Sequence, residues 1–218
     1  MATHPVFLRL TGRRCVVIGA DAAATAKAVA CAAAGGDVVV IAPTPVPSRD
    51  GIRQLCREYR PGDLAGAFVA YASTRDPELI QDLVADAERA RVLLNVIDVP
   101  DACTFIAPAV LERGELQVAI GTGGASPGLA ARLRRDLETE IGAEYGPFVA
   151  ILGAVRRTLA AEPVRAGERG RVVNALVDSP LLAFVRDGDR AAIDALLARL
   201  VGPDITLERL GVDLAAGA

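Results

Sequence analysis

The chain has 218 residues, of which 52% are hydrophobic and 23% are charged, and its formal net charge is −3 at pH 7. This composition supports a folded core and excludes a disordered polymer, and the acidic balance argues against a nucleic-acid-binding protein. A single histidine, His4, excludes a histidine-rich metal site, and the four cysteines form no CxxC pair. The residues therefore predict no resident metal centre.

The N-terminal residues lack the apolar core of a secretory signal. The longest uncharged stretch, residues 116–131, is interrupted by a glycine-rich loop and a proline, so it does not predict a membrane span. We therefore expect a cytoplasmic protein with reduced cysteines that binds neither membranes nor nucleic acids.

Apolar runs and helical patterns alternate along the first half of the chain. The runs with the length of strands are residues 14–19, 37–42, 55–59, 67–72 and 92–97. Helical patterns occupy residues 20–34 and 77–89. A strand, a helix and a strand within about 30 residues form a βαβ unit with parallel strands. The alternation predicts an α/β domain with a doubly wound parallel sheet, ending at residue 112.

The second half has a different pattern. A strand is predicted at residues 116–120, followed by a glycine-rich loop and an amphipathic helix that ends near Ile141. From residue 148 onward, helical patterns alternate with breaks at Pro163, Gly167, Pro180 and Gly202. We therefore divide the remainder into a short segment, 113–146, and a helical C-terminal domain, 147–218.

Gly19 follows the first strand and opens the first helix, where dinucleotide-binding βαβ units carry a GxGxxG or GxGxxA motif. Residues 19–24 are GADAAA, so the first glycine and the small final residue, Ala24, are present, but Asp21 replaces the middle glycine. An aspartate adds bulk and negative charge where a phosphate needs space. Asp21 is also a favourable helix N-cap. The cap and a retained NAD site are two interpretations that conflict without strictly excluding each other.

A second glycine-rich loop, residues 121–127 (GTGGASP), lies between a predicted strand and a predicted helix. Free backbone N–H groups at such a junction favour a carboxylate or a phosphate. The arginines that follow, among them Arg132, add positive charge. The alternative is a tight turn followed by a solvated basic helix face.

Asp98 directly follows the predicted strand at 92–97. In open α/β sheets, ligands bind beyond the carboxyl ends of the strands, and a carboxylate there can accept a proton. Asp101 is the competing candidate, and a loop aspartate that forms a turn is the alternative interpretation.

These pieces, in this order, resemble the precorrin-2 dehydrogenase and sirohydrochlorin ferrochelatase family, the N-terminal module of siroheme synthase. The resemblance covers about residues 5–145. The stretches that carry it are residues 5–19 (PVFLRLTGRRCVVIG), 59–68 (YRPGDLAGAF), 95–100 (NVIDVP), 105–108 (FIAP) and 122–127 (TGGASP).

The resemblance implies a Rossmann-like domain, a small dimerisation segment and a helical C-terminal domain in a homodimer. It implies oxidation of precorrin-2 to sirohydrochlorin with NAD⁺, insertion of Fe²⁺ or Co²⁺ as the substrate metal, or both, with Asp98 as general base. The nucleotide side would include Gly19, Asp21, Ala24 and Thr74. The side that binds the tetrapyrrole would include Phe105, Pro108, Thr122, Gly123, Gly124, Ser126 and Arg132.

The departures from the family pattern fall on the nucleotide side. Asp21 replaces a glycine, Arg75 replaces the first aspartate of a Thr-Asp-Asp-Pro segment, and Ile80 replaces an asparagine. Three alternatives to the NAD-dependent enzyme therefore remain. They are a metal chelatase that has lost NAD binding, a non-catalytic tetrapyrrole-binding protein, and a paralogue with another ligand in a different pathway.

Overall fold

A computed structural model describes residues 3–161 and 167–214, so the break predicted at Pro163 lies outside the described residues. The described chain forms two compact units. The first runs up to Ala107 and includes Gly123–Ala125, and the second contains Pro108–Thr122 and the chain from Ser126 onward.

The first unit contains a parallel five-stranded sheet in the order β3-β2-β1-β4-β5. The strands are β1 (Arg14–Ile18), β2 (Asp37–Ile41), β3 (Ile52–Leu55), β4 (Val69–Ala72) and β5 (Leu93–Val96). Two helices pack beside it, α1 (Ala22–Ala33) and α2 (Pro77–Ala90). The strand order reverses direction between β1 and β4. The predicted Rossmann-like α/β class is confirmed, because continuous apolar strands are buried on both faces.

The strand predicted at residues 55–59 was wrong in position, since β3 is Ile52–Leu55 and pairs with β2 from Ile52 to Leu55. The residues after Leu55 serve another contact. The Tyr59 hydroxyl donates a hydrogen bond to the buried carboxylate of Asp86 on α2. That contact anchors the loop after β3 to the helix.

Both α-helices of the first unit begin at an aspartate N-cap. Asp21 accepts a hydrogen bond from the Ala24 amide at 2.8 Å, and Asp76 accepts one from the Glu78 amide at 3.0 Å. Such caps satisfy amides that have no partner within the helix. The cap interpretation of Asp21 is therefore confirmed.

The second unit begins with an antiparallel hairpin of β6 (Ala109–Arg113) and β7 (Leu116–Ile120). The sequence pattern did not predict β6. Gly114 makes the tight turn possible, because its φ is +57° and an added Cβ would lie 3.3 Å from Cα of Gly146. Helix α3 (Pro127–Glu140) follows and packs on β6.

The described C-terminal region is helical, as predicted. Its helices are α4 (Tyr145–Ala161), α5 (Arg169–Val177), α6 (Leu181–Asp187), α7 (Arg190–Leu200) and α8 (Leu207–Leu210). They share one core, in which Ile151, Leu159, Leu176 and Leu197 are fully buried. Across the described ranges, no helix combines the length and the apolar character needed to cross a membrane.

Candidate functional site

The first unit has a cleft at the carboxyl ends of its central strands. Since β1, β4 and β5 are adjacent and parallel, the residues that follow them meet at one edge of the sheet. The cleft has a volume of about 390 Å³. Its lining residues are Asp21, Ala23, Ser73, Thr74, Arg75, Ile97 and Asp98. Three predicted site residues, Asp21, Thr74 and Asp98, therefore share one cleft.

Gly19 fits tightly at the end of β1. Its φ is +115°, and an added Cβ would lie 3.1 Å from the Ser73 carbonyl oxygen and 3.4 Å from Cβ of Ala24. Ala24 itself is fully buried. Gly19 and Ala24 thus allow β1, α1 and the end of β4 to approach closely, which is one of the roles of small residues in dinucleotide-binding turns.

Both oxygens of the Asp21 carboxylate accept hydrogen bonds from residues of the first unit. Oδ1 accepts the Ala24 amide, and Oδ2 accepts the Ser73 hydroxyl at 2.5 Å. These two hydrogen bonds hold the pKa of Asp21 below its usual value, because they stabilise the charged form. Asp21 is therefore an anion fixed at the start of α1.

This arrangement does not fit the diphosphate of NAD in its usual position. In dinucleotide-binding domains the diphosphate lies at the N-terminus of the first helix, where backbone amides donate to it. Here the Asp21 carboxylate already accepts the Ala24 amide and places a negative charge at that end. A diphosphate would meet a like charge and a side chain where the motif usually has a bare glycine.

Asp98 lies in the turn after β5, which the Val99 amide closes by donating to the Val96 carbonyl oxygen. Its φ is +58°, a left-handed backbone conformation that, among the described non-glycine residues, only Arg91 shares. This conformation is uncommon for a residue with a side chain, although aspartate adopts it more readily than most. The Asp98 side chain is 73% exposed, so its carboxylate is accessible to a ligand in the cleft.

Arg75, which follows β4, contacts Asp98 with two nitrogens. Nη2 lies 3.0 Å from Oδ2, and Nη1 donates to the Asp98 carbonyl oxygen at 3.2 Å. The Thr74 hydroxyl oxygen accepts the amide of Asp76, the N-cap of α2, at 3.1 Å, so Thr74 contacts the start of that helix. The one basic side chain among the described lining residues is thus paired with the predicted general base.

Phe105 serves the core of the first unit. Its ring packs edge-to-face on Tyr71 with centroids 5.5 Å apart, and its carbonyl oxygen accepts a hydrogen bond from the Asn95 side chain at 2.9 Å. Pro108 is exposed at the start of the second unit. Neither residue lines the described cleft, so their predicted contact with a substrate stays a prediction.

The second glycine-rich loop forms local turns and a helix cap. The Thr122 hydroxyl oxygen accepts the Ser126 amide at 3.0 Å, and the Ser126 hydroxyl oxygen accepts the Leu129 amide at 3.2 Å at the start of α3. Gly123 and Gly124 have φ of +62° and +84°. Arg132 is exposed and lies 3.6 Å from Asp136 one turn along α3. The substrate roles predicted for this loop stay predictions.

The sequence pattern predicted neither Ser73 as a site residue nor the pairing of Arg75 with Asp98. A usable signal was present for both. Ser73 and Arg75 follow β4, and the residues after neighbouring parallel strands meet at one sheet edge. The missing information was the strand order, which places β4 between β1 and β5.

Comparison with protein families gives two matches. Residues 6–109 match the family described as "Putative NAD(P)-binding", and residues 113–140 match "Sirohaem biosynthesis protein central". The first match spans most of the first unit, and the second runs from the end of β6 to the end of α3.

The chain is 33% identical over 207 residues to a siroheme synthase of Chromobacterium violaceum, covering 92% of this chain and 44% of the relative. This chain belongs to the siroheme synthase family. A second relative, the siroheme synthase of Methylobacillus flagellatus, is 34% identical over 165 residues, covering 73% of this chain and 35% of the relative. The chain therefore spans less than half the length of these siroheme synthases.

Among solved structures, the chain is similar to "SirC, precorrin-2 dehydrogenase", with a TM-score of 0.67 and 23% identity over 83% of this chain and 92% of that one. The likeness confirms the predicted fold class: a Rossmann-like sheet followed by a helical part.

Proposed function

We propose that this chain is an enzyme of siroheme biosynthesis that acts on a tetrapyrrole, with Asp98 as the proton acceptor. One observation carries the proposal. The Asp98 carboxylate is exposed in the cleft where the strand order reverses, in a left-handed backbone conformation, within a chain of this family. Uncommon backbone conformations cluster at functional sites, where the surrounding structure holds them.

The reaction that these residues favour is the insertion of Fe²⁺ or Co²⁺ into sirohydrochlorin. The pyrrole nitrogens must lose protons before they bind a divalent metal, and the metal is a substrate that the macrocycle itself ligates. Asp98 accepts a proton from such a nitrogen and passes it to water, since its side chain is exposed. This reaction does not require the start of α1, where the Asp21 carboxylate lies.

A second candidate is the NAD-dependent oxidation of precorrin-2 to sirohydrochlorin. The match of residues 6–109 to an NAD(P)-binding family favours it. The position of the Asp21 carboxylate argues against it. A third candidate is a non-catalytic protein that binds a tetrapyrrole.

Two assays with the full chain separate these candidates. Sirohydrochlorin with Fe²⁺ or Co²⁺ is followed by the absorbance change of the macrocycle, and precorrin-2 with NAD⁺ is followed by the appearance of NADH. We expect metal insertion faster than the protein-free reaction and little NADH. NADH production alone would favour the second candidate. Binding of sirohydrochlorin without either reaction would favour the non-catalytic protein.

The proposal includes a homodimer in the cytoplasm, with residues 113–146 in the dimerisation segment and residues 147–218 as the helical domain. Light scattering on the purified chain tests the homodimer. A mass of one chain at assay concentrations would contradict it.

A further inference from the structure

Arg75 is paired with Asp98, the residue that the proposed function uses as its base. Its guanidinium donates to both the side chain and the backbone carbonyl of Asp98. Nη2 contacts Oδ2 of the carboxylate, whereas neither of these two contacts of Arg75 involves Oδ1. We propose that Arg75 binds a carboxylate of the tetrapyrrole substrate, and that this contact replaces the ion pair between Arg75 and Asp98. The inference rests on the proposed function.

The charges of the cleft single out Arg75 for this role. The lining carries two carboxylates, Asp21 and Asp98, and among its described residues Arg75 is the only cation. Asp21 does not compete for Arg75, because its oxygens already accept the Ala24 amide and the Ser73 hydroxyl. A substrate rich in carboxylates therefore meets one side chain in this cleft that can pair with it.

The ion pair between Arg75 and Asp98 can be exchanged for a pair between Arg75 and a substrate carboxylate. The Arg75 and Asp98 side chains are 69% and 73% exposed, and ion pairs between exposed side chains contribute little net free energy because water screens them. Arginine binds carboxylates through two parallel hydrogen bonds, whereas it holds only one carboxylate oxygen of Asp98. A carboxylate that engages both nitrogens therefore replaces the present contacts with a better-matched pair.

The test measures sirohydrochlorin binding by the full-length protein and by Arg75→Gln, with Arg53→Gln as the matched control. Arg53 is an exposed arginine of the same unit that does not line the cleft. We expect Arg75→Gln to weaken binding by about tenfold, and Arg53→Gln to leave it unchanged. The methyl ester of sirohydrochlorin, which lacks the carboxylate charges, should bind the original protein and Arg75→Gln equally.

Asp98→Asn gives a second, independent readout. If Arg75 must leave Asp98 to bind substrate, removal of the Asp98 charge should tighten sirohydrochlorin binding. The same removal should enlarge the effect of Arg75→Gln in the double variant. A residue with a purely structural role would not produce this coupling. In turnover, Arg75→Gln should raise KM with little change in kcat, because Asp98 is still present.

Two outcomes overturn the inference in distinguishable ways. If Arg75→Gln leaves the affinity for sirohydrochlorin unchanged, both with and without Asp98→Asn, the role of Arg75 is refuted. The proposed function is then unaffected. Failure of every protein to bind sirohydrochlorin would refute the proposed function together with the inference.

Discussion

The segments that follow β1 and β5 each carry an aspartate in the same cleft, and the two carboxylates differ in the groups that contact them. Asp21 is bonded to a backbone amide of its own helix and to the Ser73 hydroxyl. Asp98 is paired with the exposed side chain of Arg75. Position at the end of a strand therefore does not by itself make a carboxylate reactive, because its partners decide whether it can accept a proton.

The largest expected effect is at the end of β5. Asp98→Asn should lower the rate of metal insertion by about 10²-fold or more, the usual contribution of a positioned acid or base. The measurement is kcat with sirohydrochlorin and Fe²⁺. Asp101→Asn is the matched control, because Asp101 is an exposed aspartate close in sequence that does not line the cleft. Equal rates for Asp98→Asn and the original protein would remove Asp98 as the base.

The next largest effect is expected on the free energy of unfolding, at Gly19 directly after β1. Gly19→Ala should destabilise the protein by about 1–3 kcal/mol, since the residue has a φ of +115° and the new Cβ would approach the Ser73 carbonyl oxygen. Denaturant unfolding measures the difference. Gly62→Ala is the control, because it has a positive φ of +97° but nothing within 4 Å of an added Cβ. If both variants lose the same free energy, the close approach at Gly19 contributes nothing.

Removing the anion at the start of α1 should change cofactor binding. Asp21→Gly restores the glycine of the dinucleotide motif, and we expect it to bind NAD⁺ about tenfold more tightly than the original protein. Calorimetric titration provides the measurement. Asp189→Gly is the control, since Asp189 caps α7 through the Ala192 amide at 2.9 Å. Tight NAD⁺ binding by the original protein, with no gain in Asp21→Gly, would show that the carboxylate does not block the site.

The smallest effect concerns pH. The pKa of Asp21 is lowered in the folded protein, so its charge stabilises the fold above the unfolded value of about 3.9. That contribution should be lost as the pH falls through the lowered folded pKa. The free-energy difference between the original protein and Asp21→Asn should therefore shrink on acidification below about pH 4. A difference that stays constant across this range would mean that the hydrogen bonds do not favour the charged form.

Much of the first unit was predictable from local sequence. Apolar runs predicted β1, β2, β4 and β5, because buried parallel strands need continuous apolar residues. Asp21 was predictable as a cap, since the contact with Ala24 depends on neighbouring residues alone. The position of β3 was missed because it depends on pairing with β2 rather than on its own residues.

The candidate site was predictable only in part. The sequence by itself determined the βαβ pattern, the Asp21 cap and the position of Asp98 after a strand. The tertiary structure decided that Asp21, Arg75 and Asp98 share one cleft and that Arg75 pairs with Asp98. The physical reason is the strand order. Segments far apart in the chain become neighbours only when β4 inserts between β1 and β5, and no local pattern encodes that insertion.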